Sequence, residues 1–223
     1  MNDPAKSDNV LEERHTDRMR KKQASRVRIM ENKTREKGLL IVHTGKGKGK
    51  SSAALGMVVR AVGHGMKVGV VQCRGGTIAT AERRIFEAFP DHIDFRADFP
   101  VDLEADTGAN CQPSEDDSAA SRPDRPQAIT LARAAWAEVE RMLCDPNCHM
   151  VLADELNIAL HHAYLPLEDV LAALTARDEM KHVIITGRNA PDALIAAADL
   201  VTDMKRIKHP SRANVSAQRG IDF

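Results

Sequence analysis

The chain has 223 residues and a mass of 24.5 kDa, with 32 Lys and Arg against 32 Asp and Glu, so its formal charge is zero. Apolar residues make up 43% of it, enough for one core with appendages, and no apolar run reaches the roughly 18–20 residues of a membrane span. The opening MNDPAKSDNV has no apolar stretch of the secretory type, four scattered cysteines (73, 111, 144 and 148) make no disulfide scaffold, and 3% aromatics leave little for stacking on nucleic acid. The expectation is a cytoplasmic protein with neither membrane nor nucleic acid as a partner.

The first 37 residues form a basic arm. Residues 14–37 carry ten Lys or Arg against three acids, and larger apolar residues are sparse there: Met19, Val27, Ile29 and Met30. Neither Pro nor Gly interrupts this stretch, so a helix is sterically open to it. It reads as a weakly amphipathic helical arm that needs a partner surface, or as a solvated tail.

An α/β domain is expected over residues 38–204. Residues 39–42 (LLIV) read as a buried strand, 52–62 as a helix, 67–72 as a strand and 78–89 as a helix stopping before Pro90. Two strand–helix units in succession point to a mostly parallel sheet with helices on both faces and right-handed crossovers. A polar connection over 97–127 interrupts the pattern. Its residues 98–117 hold seven acids and no base, which suits a lid over a site or a disordered loop. Beyond it come a helix at 128–143, a strand at 150–153 ending in Asp154-Glu155, and a helix at 165–177 with Pro166 in its first turn. A strand at 182–186, a helix at 191–198 and an edge strand at 200–204 follow, and 205–223 is a basic tail.

The chemistry is concentrated after the first strand, in Thr44-Gly45-Lys46-Gly47-Lys48-Gly49-Lys50-Ser51-Ser52. A helix N-terminus offers unpaired N–H groups and partial positive charge. Glycines at 45, 47 and 49 permit positive φ and let the backbone wrap an anion, Lys50 reaches the phosphates, and the Ser51 hydroxyl ligates magnesium. The general pattern G-x-x-x-x-G-K-[ST] is met in its second half, with Thr44 in place of the first glycine. Such a loop needs an acid at the end of another buried strand. Asp154 and Glu155 supply it, one binding a hydrated divalent cation directly and the other through water. Cys144, Cys148 and His149 lack a fourth ligand and are not read as a zinc site. His161 and His162 read as helix-end residues, and Trp136 as core.

With these residues in place, the chain resembles the P-loop corrinoid (cob(I)alamin or cob(I)yrinic acid a,c-diamide) ATP:adenosyltransferases. The resemblance rests on residues 36–65 with TGKGKGKSSAALGMVVRAVGHG, on LADEL at 152–156, YLPLE at 164–168, VIITGR at 183–188, RIKH at 206–209 and QRGIDF at 218–223. Thr44 is that family's own variant of the loop. The resemblance implies that a Co(I) corrinoid attacks the 5′ carbon of ATP and releases triphosphate, in adenosylcobalamin biosynthesis or salvage. ATP then lies reversed in the loop, exposing C5′. It also implies Lys50 and Glu155 in catalysis, residues 44–52 and Arg188 at the nucleotide, Mg2+ on Ser51, Glu155 and Asp154, a reductase or flavin electron donor, and a homodimer. Three departures stand out. Gln72-Cys73-Arg74-Gly75-Gly76 replaces the usual Q-F-x-K-G, and the aromatic loop that packs under the corrin has no Trp here, leaving Phe95 or Phe99 as substitutes. Lys46 stands where the family usually has Asn. A diverged nucleotide- and corrinoid-binding protein with weak or no transfer activity is the alternative.

Overall fold

A computed structural model describes residues 4–31, 34–73, 81–97, 99, 124–216 and 218–221. Arg74, Gly75 and Gly76, the start of the helix expected at 78–89, nearly all of the acidic connection, and the last two residues of QRGIDF lie outside them. The chain divides into two compact units, Met1–Glu36 and Lys37–Phe223. The first contains one helix, α1 (Pro4–Glu31). Pro4 stands at its start, where its missing N–H costs nothing. Met19, Val27 and Met30 are exposed on it.

The second unit is a six-stranded parallel sheet. Its strands are β1 (Leu40–Thr44), β2 (Val68–Gln72), β3 (Ile93–Arg96), β4 (Met150–Asp154), β5 (His182–Thr186) and β6 (Leu200–Asp203). Their order is β3-β2-β4-β5-β1-β6, and every neighbouring pair is parallel. The helices are α2 (Lys50–Gly63), α3 (Ala81–Phe86), α4 (Arg125–Cys144), α5 (Leu156–His161), α6 (Leu167–Ala176) and α7 (Asp192–Ala197), and a 3₁₀ turn spans Pro210–Ala213.

The apolar runs are continuous because both faces of the sheet are covered. Successive side chains nevertheless go to opposite sides. Leu40, Val42, Val151, Ala153, Val183 and Ile185 join one cluster with residues of α4, α5, α6 and α7. Ile41, Met150, Leu152 and Ile184 join the other, with residues of α2 and α3. This is the doubly covered, P-loop-type α/β sheet that the sequence implies.

Several boundaries have identifiable causes. The α4 helix begins earlier than expected because Asp124 accepts the Gln127 N–H at 2.8 Å while the Gln127 side chain accepts the Asp124 N–H at 3.2 Å, a reciprocal cap. Its end is held by the buried Lys181, whose Nζ donates to the carbonyls of Met142, Leu143 and Asp145. Pro166 sits just outside α6 as its N-cap rather than in its first turn. Among the described residues, the helix expected at 78–89 is helical only from Ala81 to Phe86 and continues to Phe89 as turns. The sequence pattern did not show β3, a four-residue strand whose order comes from pairing with β2, as in Val70 opposite Phe95. It did not show α5 either, although His161 and His162 do end that helix. β6 is an edge strand, as expected, and Trp136 is in the core. Among the described residues, no helix is long and apolar enough to cross a membrane.

Candidate nucleotide site at the carboxyl end of the sheet

β1 leads through residues 45–49 into α2. Gly49 is the N-cap of α2 with φ 106°, and Gly45 has φ 99°. Both need the left-handed region that favours glycine. Gly47 is not at positive φ and is a glycine for a different reason. A Cβ there would lie 2.6 Å from the Met204 carbonyl oxygen. The chain after β6 runs against the loop: Met204 N–H donates to the Thr44 carbonyl at 2.8 Å, and Gly47 N–H donates to the Met204 carbonyl. One of the loop amides expected to face an anion is therefore paired within the protein.

Lys50 is the first residue of α2 and is 6% exposed. Its Nζ donates to the carbonyls of Gly45 at 3.0 Å and Gly47 at 2.9 Å, so the ammonium is held under the loop. Burial lowers its pKa; the charges of Glu155 and Asp154 oppose that shift, and Arg188 adds to it. Glu155, Asp154 and Arg188 thus each lie within electrostatic reach of Lys50, although they lie at or just past the ends of two other strands of the sheet. Ser51 is half-buried in the first turn of α2, while Lys46, Lys48, Ser52 and Arg188 are exposed. Thr44 is buried, and its Oγ1 accepts the Ala190 N–H at 3.2 Å, so its hydroxyl also serves the loop after β5.

The acidic pair is asymmetric. Asp154 ends β4 and is 1% exposed. Its Oδ1 accepts the Thr186 hydroxyl at 2.6 Å and its Oδ2 accepts from Gln72 Nε2 at 3.2 Å. Glu155 follows in a left-handed turn, φ 61°, and its N–H donates to Thr186 Oγ1 at 2.8 Å. Nearby, Asn157 Nδ2 donates to the Gly187 carbonyl at 3.0 Å. Gln72, Asn157, Thr186 and Met204 had no assigned role in the sequence. A usable signal was present for two of them. Thr44, Gln72, Asp154 and Thr186 are the polar last residues of four adjacent apolar strands, and all four are buried.

A hydroxyl, two carboxylates and the oxygens of a bound polyphosphate form a hard oxygen donor set that suits Mg2+, which takes one or two carboxylates together with phosphates and water. Among the described residues there is no group of three or more His, Cys, Asp or Glu able to hold a metal. Cys148 Sγ donates to the Met150 carbonyl, and His149 Nδ1 accepts the Lys67 N–H at 3.1 Å, so both serve the entry to β4. Cys73 is buried after β2, where burial pushes its thiol pKa up and the charges of Asp154 and Glu155 push it further. Of the two candidate aromatics, Phe95 packs on Phe86 at 5.6 Å within the α2–α3 cluster. Phe99 is half-buried against the opposite cluster.

Residues 36–223 match the family described as ATP:corrinoid adenosyltransferase BtuR/CobO/CobP. The chain is 43% identical over 212 residues to the corrinoid adenosyltransferase of Pseudomonas aeruginosa, covering 95% of this chain and 97% of that one. It is 41% identical to the corrinoid adenosyltransferase of a Sinorhizobium species over 99% of this chain and 95% of that relative. Against the corrinoid adenosyltransferase of Escherichia coli K12 the identity is 42%, covering 84% of this chain and 87% of the relative. A match that takes in the whole sheet, the glycine loop and the carboxylate pair leads to one conclusion: the chain belongs to the ATP:corrinoid adenosyltransferase family.

Proposed function

We propose that the chain transfers the 5′-deoxyadenosyl group of ATP to the Co(I) centre of a corrinoid and releases inorganic triphosphate, in adenosylcobalamin biosynthesis or salvage. The observation that supports this most directly is the buried Lys50, hydrogen-bonded to two loop carbonyls and within electrostatic reach of Glu155, Arg188 and Asp154. A polyphosphate entering the loop draws the Lys50 protons from those carbonyls. Residues 44–52 and Arg188 then surround the leaving group with N–H donors and positive charge.

Co(I) is a strong nucleophile, so the step needs no general base. The cobalt–carbon bond forms as the C5′–oxygen bond breaks; the electron pair leaves on triphosphate and cobalt goes from Co(I) to Co(III). The protein's share is to hold C5′ in line and to stabilise the departing charge. Ser51, Glu155 and Asp154 would hold Mg2+, which when bound would supply further charge neutralisation at the triphosphate. A reductase or reduced flavin supplies the electrons that make Co(I), and the working protein is a cytoplasmic homodimer.

Incubation with ATP, Mg2+ and chemically reduced cobalamin tests the reading. The expected result is a light-sensitive alkyl-cobalt spectrum with triphosphate in equal amount. Phosphate or ADP as the product, or tight ATP binding with no alkyl-cobalt from any corrinoid, refutes it.

A further inference from the structure

The carboxylate pair is organised by a side chain from the neighbouring strand. β4 and β5 are in register up to Ala153 opposite Ile185, which brings Thr186 beside Asp154 at the next step. Thr186 is fully buried. Its oxygen accepts the Glu155 N–H at 2.8 Å and lies 2.6 Å from Asp154 Oδ1. A backbone N–H can only donate and an ionised carboxylate can only accept, so the one hydroxyl proton must go to Asp154. The direction of both bonds follows.

The two bonds act on different parts of the site. One orients Asp154, whose other oxygen is taken by Gln72 at 3.2 Å. The second holds Glu155 where its φ is 61°, a conformation that a residue with a Cβ resists. That turn sets the direction in which the Glu155 side chain leaves the backbone. We infer that Thr186 is a positioning residue for the cation site: its hydroxyl fixes Asp154 and the Glu155 turn in a single arrangement, and divalent-cation affinity depends on it. The inference rests on the reading that Glu155 and Ser51 serve such a cation. Groups behind the direct ligands commonly change metal affinity about 10- to 100-fold when removed.

The test uses the full chain with ATP and Mn2+ and no corrinoid, so that nothing turns over, and follows free Mn2+ by its paramagnetic resonance signal. Thr186→Val keeps the shape and removes the hydroxyl; it weakens Mn2+ binding about 10- to 100-fold. Thr186→Ser keeps the hydroxyl and binds as the unaltered protein does. Supplied with reduced cobalamin, Thr186→Val regains turnover as Mg2+ is raised, which a general loss of structure does not permit. Mn2+ binding lost in Glu155→Gln but unchanged in Thr186→Val overturns this inference alone. Binding undiminished in Glu155→Gln overturns the cation reading and this inference with it. If Thr186→Val melts below the assay temperature, Thr186→Ala and Thr186→Ser are compared instead, and equal Mn2+ affinity in those two overturns the inference.

Discussion

The carbonyl oxygen of Met204 accepts the N–H of Gly47, and the Met204 N–H in turn donates to Thr44. The segment after the edge strand is thereby paired to the glycine loop on both sides of its bend. The loop's shape is set before any anion arrives, by a stretch of chain 157 residues further on (204 against 47). Preorganisation of this kind lowers the ordering cost of binding.

Gly47→Ala tests that relationship. The added Cβ meets the Met204 carbonyl at 2.6 Å, so the strap or the loop must move. Overpacking of this sort costs about 1–3 kcal/mol. The expected outcome is a lower melting temperature together with weakened ATP binding by calorimetry. Gly56→Ala is the control. Gly56 lies inside α2 with nothing within 4 Å of its added Cβ, and alanine there stabilises by about 0.5–1 kcal/mol.

Lys50→Ala removes the ammonium from beneath the loop and is expected to lower turnover about 10²-fold or more, as loss of a single preorganised charge donor does. Near-normal turnover contradicts the assigned cradle. Burial also holds the Lys50 pKa below the usual 10.5. Phosphate binding needs the proton in place, so ATP affinity is full below the depressed pKa and falls as pH rises through it, before 10.5. Stability moves the other way. Between the two pKa values the unfolded chain binds more protons, so the Lys50 contribution to stability rises with pH in that window. Calorimetric ATP titrations at stepwise alkaline pH read the first effect, and melting curves read the second.

Lys181→Met separates scaffold from site. Its Nζ donates to three carbonyls at the end of α4, at the opposite end of β5 from Thr186. Leaving such buried acceptors unpaired costs about 1–3 kcal/mol. Chemical denaturation is expected to show that loss, while ATP affinity at a temperature well below the transition stays unchanged.

Asp199→Asn addresses the edge of the sheet. The Asp199 carboxylate pairs with Lys37 and accepts the Leu40 N–H at 3.0 Å, tying the start of β6 to the start of β1. The Lys37 ammonium first, and then the Leu40 N–H, hold its pKa below the usual carboxylate value of 3.8. A depressed carboxyl pKa stabilises above the unfolded value, and the benefit is lost as pH falls through the folded one. The variant is expected to melt earlier than the unaltered protein at neutral pH, and the gap should close on acidification below 3.8. A gap that persists at low pH refutes the linkage.

Local pattern reached a long way into this protein. The strands β1, β2, β4 and β5 are apolar runs that must be buried on both faces, and the glycine loop announces a strand-to-helix turn wherever it occurs. The placement of Lys50 at a helix start and of Asp154-Glu155 at a strand end was readable for the same reason, since each position depends on its immediate neighbours in the chain. β3 was not readable, because four residues with one buried side chain carry too little period to stand out from a loop. Which reason for a glycine applies at 47, positive φ or close approach, was not readable, because both look the same in sequence.

The order β3-β2-β4-β5-β1-β6 lies beyond any local pattern. It places the ends of β2, β4, β5 and β1 side by side, so that Gln72, Asp154, Thr186 and Thr44 become neighbours and Met204 comes to rest on the loop. Residue types and their short spacings settle which segments are strands and where anion chemistry is concentrated, because those depend on periodicity and backbone sterics. Which buried polar groups satisfy one another is settled only when distant strands pair, because a hydrogen bond requires contact at about 3 Å, and one chain pattern is compatible with many pairings.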